Sequence, residues 1–451
     1  MIRSRKHTHA PLMALMASLP VLGHANSTAE APAPQRLREP AVLPTLQVKG
    51  KRATRSFKAE RPHSDKLTQP LLDTPQTVSV INRELMQEQA ATTLMQALQN
   101  TPGITLQLGE NGNTAAGDTF QMRGFAAQSS LLVDGIRDLG AVTRDTFNIE
   151  QVDVVKGDSG ADVGRSTSSG YLNLSSKLPS LRNSHQLGSV LASDGQQLQK
   201  RLTADFNQRT GEHSALRLNL MVQDQPQLGR DEARQRGFGI APAMAFGLGT
   251  PLRTTVYAQY VEQHNRPDGG IPTVGLEGFY FAPASNSTAD QAIATLVNQA
   301  PRVARENFYG SRDDFEDITA AQLTARVEYD LSDRFTLRST LRHGQSDMDR
   351  IMTGVYTLQI PAATAADRST WQVRQLPQGV DQHNEILTNQ TSLSARLLTG
   401  TVAHDVVAGL ELLRESQRTD TLALPSGTPN LYTSLYHPSP AQPLIRPRHN
   451  G

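Results

Sequence analysis

The sequence predicts a mixed α/β domain followed by an antiparallel transmembrane β-barrel, incomplete in this chain at about nine strands. Three observations carry that expectation. The first is a run of period two: Ala321, Leu323, Ala325, Val327, Tyr329 and Leu331 share one phase, and Gln322, Thr324, Arg326, Glu328 and Asp330 share the other. A strand with one face to lipid and the other to a wet lumen reads this way, whereas a soluble sandwich does not line its inward face with Arg and Glu. The second is the inequality of the connections, short turns at 211–214 and 332–334 alternating with long polar loops. The third is a change of texture near Pro179, before which helical and strand periods are mixed.

Composition agrees. A chain of 451 residues exceeds one ordinary core, which leaves two domains or one large barrel. A formal net charge of +1 gives no electrostatic grip on nucleic acid. The absence of cysteine excludes a disulfide framework and thiolate metal sites.

The elements follow in order. Residues 1–25 read as a signal peptide: Arg3, Arg5 and Lys6 precede an apolar stretch at 12–22, and Gly23 and Ala25 suit peptidase cleavage. That stretch is far short of the roughly 20 apolar residues of a spanning helix. Residues 26–66, rich in Ala, Pro, Arg and Lys, read as a flexible arm interrupted by the β-prone Leu46-Gln47-Val48-Lys49. Residues 67–178 form the mixed domain. A strand at 78–81 runs into Asn82, a helix cap, and Leu85, Met86, Leu94, Met95 and Leu98 give an apolar stripe over two helical pieces. Pro102-Gly103 ends the second piece, and short strands follow at 104–108, 119–122, 130–133 and 152–155. From 179 to 451 the barrel pattern holds, clearest at 215–222, 321–331 and 335–342, looser at 387–397 and 406–412.

No constellation supports catalysis. Lys156-Gly157-Asp158-Ser159-Gly160 has the look of a serine nucleophile loop, but the mature chain offers only His63 upstream as a base. There is no His-Glu-x-x-His spacing, and the Gly-x-Gly pairs at 237–239 and 247–249 flank strands instead of opening a helix. The chain reads as a non-enzyme without a metal site.

The motifs that remain carry a resemblance. They are Asp73-Thr74-Pro75-Gln76-Thr77-Val78, Leu94 to Ile104 with its Thr101-Pro102-Gly103, Arg123-Gly124-Phe125, Leu131-Leu132-Val133-Asp134-Gly135, and Ile149-Glu150-Gln151-Val152. In this order they resemble the TonB-dependent outer-membrane siderophore receptors, catecholate branch, with an N-terminal plug and part of the barrel. The resemblance implies an outer-membrane protein of a Gram-negative bacterium that imports a ferric siderophore, with the metal chelated by that ligand and no permanent cofactor. Its partners would be TonB with the ExbB–ExbD energising complex, and outer-membrane lipid and lipopolysaccharide. Thr45, Leu46, Gln47, Val48 and Lys49 would be the TonB box, adding a strand to TonB. Arg123-Gly124 and Asp134-Gly135 would lie on central plug strands, and Arg123, Asp134 and Glu150 would latch the plug by pairing with each other or with the barrel. Arg137 and Arg144, with Asn111, Asn113 and Gln128, would meet an anionic, aromatic ligand at the plug apices. Plugged transporters close with about 22 strands. A portion of a transporter and a truncated, non-transporting remnant therefore both remain open at this point.

Overall fold

The computed structural model describes residues 57–449 except 65, 108–116, 128–129, 139–141, 164–168 and 443–444. The expected signal peptide, most of the arm and the strand-adding patch at 45–49 lie outside these residues.

The first half builds β1 (Thr77–Asn82), α1 (Arg83–Glu88), α2 (Leu94–Leu98), β2 (Ile104–Leu106), β3 (Phe120–Met122), β4 (Phe125–Ala126), β5 (Leu131–Val133), β6 (Ile136–Arg137), β7 (Ile149–Lys156), α3 (Gly160–Val163) and β8 (Gly170–Ser176). One sheet runs β1-β7-β8-β5-β6 and a second runs β2-β3-β4. Asn82 caps α1 by accepting from the Leu85 amide, and Thr93 with Gln96 forms a capping box on α2. The helices thereby present Met86, Leu94 and Leu98 to Phe120, Met122, Val152, Val154 and Leu172, an apolar core closed to water. The end of the expected flexible arm is docked on this unit. Pro62 is buried, and the His63 amide donates to Asp153 Oδ2 at 3.0 Å.

The placing of Arg123-Gly124 and Asp134-Gly135 on central strands is corrected. Met122 pairs with Phe125 and Val133 with Ile136, so each dipeptide is a two-residue turn. The φ angles are 54° and 85° for Arg123 and Gly124, and 51° and 80° for Asp134 and Gly135. Positive φ at both central positions makes a type I′ turn, whose twist matches that of the strands it joins.

The second half is a meander of nine long strands: β9 (Ser184–Ser193), β10 (Leu198–Arg209), β11 (Ala215–Pro226), β12 (Arg234–Phe246), β13 (Leu252–Asn265), β14 (Phe315–Ser332), β15 (Phe335–Gln359), β16 (Gln372–Thr399) and β17 (Val402–Ala423). Each pairs antiparallel with its sequence neighbour. Between β13 and β14 a long loop carries α4 (Thr288–Asn298), and short β18 (Leu431–Ser434) and β19 (Arg448–His449) add to β16 and β17. Among the described residues β9 and β17 do not pair, so the sheet is an open arc around the first unit.

The two phases read in the sequence face as expected. Leu323, Val327, Tyr329 and Leu331 point outward and are exposed, while Thr324 and Arg342 are buried inward. Strands β15 and β16 span 25 and 28 residues, well beyond the ~9–11 that cross a bilayer. Their far ends therefore stand clear of the apolar band. There Val274, Val297 and Tyr309 of the β13–β14 loop pack with the sole tryptophan, Trp371, from the β15–β16 connection, and form a separate small core.

Candidate functional site

Asp134 reaches the barrel wall from the turn that joins β5 to the edge strand β6. Its Oδ2 accepts from Arg342 Nη2 of β15 at 2.9 Å and from the Tyr257 hydroxyl of β13 at 3.1 Å. Ser176 of the plug supplies its amide to Oδ1 and its hydroxyl to Oδ2, each at 2.8 Å. Arg342 also donates to the Val133 carbonyl at 2.7 Å and to Thr324 at 2.8 Å. Burial pushes the Asp134 carboxyl up, but the guanidinium charges of Arg342 and Arg326 and the Ser176 bonds outweigh it and hold the carboxyl below its usual range.

Glu150 of β7 makes the second fastening. Its Oε2 lies 3.3 Å from Arg217 Nη2 of β11 and 3.5 Å from Arg83. Arg217 forks onto Asp205 of β10 with two 2.8 Å bonds, and Lys177 joins at 3.2 Å. Burial lowers the Lys177 ammonium despite the neighbouring Asp205. The expected partnership of Arg123 is not formed. It is exposed at its turn, its amide donates to Gly103, and it makes no ion pair among the described residues. Its turn joins β3 to β4 in the small sheet, whereas Asp134 and Glu150 belong to the five-stranded sheet.

Two contacts were missed in the sequence. Asp145 takes a bidentate grip from Arg201 of β10 at 2.6 and 2.7 Å, with both side chains nearly closed to water. Next to it Phe147, in a 3-10 turn, packs on Met221, Ala241 and Val261. Gly239 of β12 admits the ring, since a Cβ there would lie 2.8 Å from Phe147 Cζ. The available signal was phase: Arg201, Arg217 and Arg342 all occupy inward positions of alternating strands, where a free charge would be costly without a carboxylate partner.

Of the expected ligand residues, Arg137 and Arg144 border one cavity between the plug and the wall strands β13–β17. They are not equivalent. Arg144 is buried, its Nη2 2.9 Å from Asp138 and its Nη1 3.3 Å from Asp118. Burial raises the Asp118 carboxyl to about 6 against the pull of Arg144. That arginine therefore holds its own loop. Arg137 is partly exposed, 3.5 Å from Glu415 of β17, and its Nε is buried without a hydrogen bond. Asn111, Asn113 and Gln128 lie outside the described residues. Among the described residues no group of three His, Asp or Glu side chains could hold a metal ion.

Comparison with known proteins places this architecture. Residues 70–171 match the TonB-dependent receptor plug domain. The catecholate siderophore receptor Fiu of Escherichia coli K12 is 40% identical over 393 residues, which is 86% of this chain and 49% of the relative. The closed-form crystal structure of that ferric-catecholate import receptor superposes with a TM-score of 0.79 at 37% identity, over 88% of this chain and 54% of that one. The siderophore receptor PiuA of Acinetobacter baumannii gives 0.72 at 29% identity, over 87% and 54%. The chain spans about half the length of the curated relatives it matches. The likeness runs through both plug and wall strands, and the chain belongs to the TonB-dependent outer-membrane receptors, comprising the plug and part of the barrel.

Proposed function

We propose that the protein imports a ferric siderophore of catecholate type, with movement of the plug driven by TonB. The observation that carries this reading is the likeness to a catecholate siderophore receptor running through both plug and wall, together with the ionic seam at Asp134, Glu150 and Asp145. An apolar seam of equal area would resist separation, whereas charged contacts exchange for water as a plug is drawn aside. Asp134 and Glu150 serve as the latch, and Arg123 takes no part in it.

In this reading residues 1–25 are removed on export, residues 26–66 form the arm, and Thr45 to Lys49 pair with TonB, energised by ExbB–ExbD. Residues 67–178 are the plug. Arg137, partly exposed where it borders the cavity, is the better ligand contact, and Arg144 shapes the loop on which Asn111 and Asn113 would act.

The test is uptake of radiolabelled ferric catecholate by iron-starved cells that express the gene in its full genomic context. Leu46→Pro removes the edge amide that strand addition needs, and uptake should fall to background while ligand still binds at the surface. Uptake unaffected by that substitution refutes TonB drive. Absence of both uptake and binding in the unaltered protein identifies a non-transporting remnant.

A further inference from the structure

The wall around Asp134 carries more positive charge than Asp134 neutralises. Arg342 is 2% exposed and pairs with this one carboxylate. Arg326 of β14 donates to the Tyr257 hydroxyl at 3.2 Å and lies 5.8 Å from that ring's centroid. Its Nε is buried without a hydrogen bond, and no carboxylate lies within ion-pair distance of it among the described residues. One guanidinium group and one phenol hydroxyl thus reach a single carboxylate that belongs to the plug, and a second guanidinium, on the strand between them, stands behind the phenol that it donates to. All three side chains belong to the wall and stay there if the plug moves.

We propose that Arg342, Arg326 and Tyr257 form a latent anion-binding site on the barrel wall, occupied here by the plug's own Asp134 and available to an oxyanion ligand once that turn withdraws. Asp134 is a tethered stand-in for the anion. The arrangement is a built site: the Arg342 side chain is oriented by Thr324 at 2.8 Å, and Tyr257 is 4% exposed. Preorganised donors of this kind favour carboxylate, phosphate or catecholate oxygens over chloride, because Arg342 and Tyr257 aim directional N–H and O–H donors at one oxygen position. Access exists on both sides. One cavity runs past Arg137 and Arg342 and another past Gly135, Arg326 and Gln390, and Ser175 and Ser176 border both. The node stands between them, with Arg342 bordering one and Asp134 and Arg326 the other. An anion crossing from one to the other would pass through this site. That transit role rests on the import reading. The site itself does not.

The experiment uses the purified full chain in detergent, with inorganic phosphate as the probe at constant ionic strength and chloride as control. Asp134 sits at a φ of 51°, so Asp134→Gly removes the carboxylate without backbone strain. Phosphate should raise the Tm of Asp134→Gly in a concentration-dependent way, on the order of a few degrees. It should leave the unaltered protein unmoved, because its site is filled. Adding Arg342→Met to Asp134→Gly should abolish the effect. If Asp134→Gly does not fold, Asp134→Asn keeps the side-chain volume and the turn, and a smaller phosphate-dependent rise is expected there. The proposal is overturned if neither variant responds, if the unaltered protein responds equally, or if the response survives Arg342→Met. None of these outcomes depends on TonB or uptake, so a failed import reading and a failed anion site remain distinguishable.

Discussion

Phe147 and Gly239 offer a direct test of what seats the plug on the wall. In Gly239→Ala the new Cβ would fall 2.8 Å from Phe147 Cζ and 2.9 Å from Cε1. Neither is an end that can swing aside, since the ring is held by Met221, Ala241 and Val261. Overpacking of this sort costs about 1–3 kcal/mol. Phe147→Ala loses the ring from a site where it is 6% exposed, costing about 3–5 kcal/mol. In the double variant the clash has no partner, and Ala in place of a strand glycine contributes roughly 0.5–1 kcal/mol of stabilisation. Gly239→Ala should therefore change from harmful to neutral or helpful, a coupling on the order of 2 kcal/mol. The assay is native-state hydrogen exchange of β7 amides, which report opening of the plug core, across the four proteins of the cycle. If Gly239→Ala destabilises equally with and without the ring, Phe147 does not seat the plug and the reasoning fails.

Other contacts make further predictions. Arg201→Met strands the buried Asp145 carboxylate and should cost about 3–5 kcal/mol, and adding Asp145→Asn should recover much of it; urea-dependent protease cleavage of the plug measures both. For Asp118, burial raises the folded value to about 6 from an ordinary 3.8. Between those values the unfolded chain has released a proton that the folded chain keeps, so stability falls as pH rises through that window, by about 3 kcal/mol in all. Asp118→Asn should remove this slope from a series of urea midpoints taken from pH 4 to 7. For Asp134 the sign is opposite. Its folded value is depressed, so its contribution is present above about pH 4 and is lost on further acidification. The advantage of the unaltered protein over Asp134→Asn should accordingly be constant from pH 5 to 8 in the same series. Trp371→Ala opens the outer loop core, where the indole is 1% exposed and donates to the Ala365 carbonyl at 3.0 Å. Limited proteolysis of the 266–314 loop should speed up while β7 exchange stays unchanged, because the two cores are separate.

Local chemistry was legible in the sequence because its causes are local. Asn82 before an apolar stripe and the alternation at 321–331 each express a preference of the residues concerned, and period two alone assigns Leu323 to the outside and Arg326 to the inside. The plug motifs, met in order, pointed to the family. What tertiary structure alone decided is which charge meets which. Asp134 and Arg342 are 208 residues apart, and Glu150 and Arg217 are 67 apart. Their meeting depends on the stagger of the strands and on the seating of the plug, neither of which a single strand encodes. The same global geometry left Arg123 exposed, turned Arg144 inward onto Asp118 and Asp138, and set Phe147 against a glycine. Alternation specifies the face a residue occupies. Only the closed interface specifies its partner, because the cost of an unpaired buried charge is levied on the whole assembly and not on the segment that carries it.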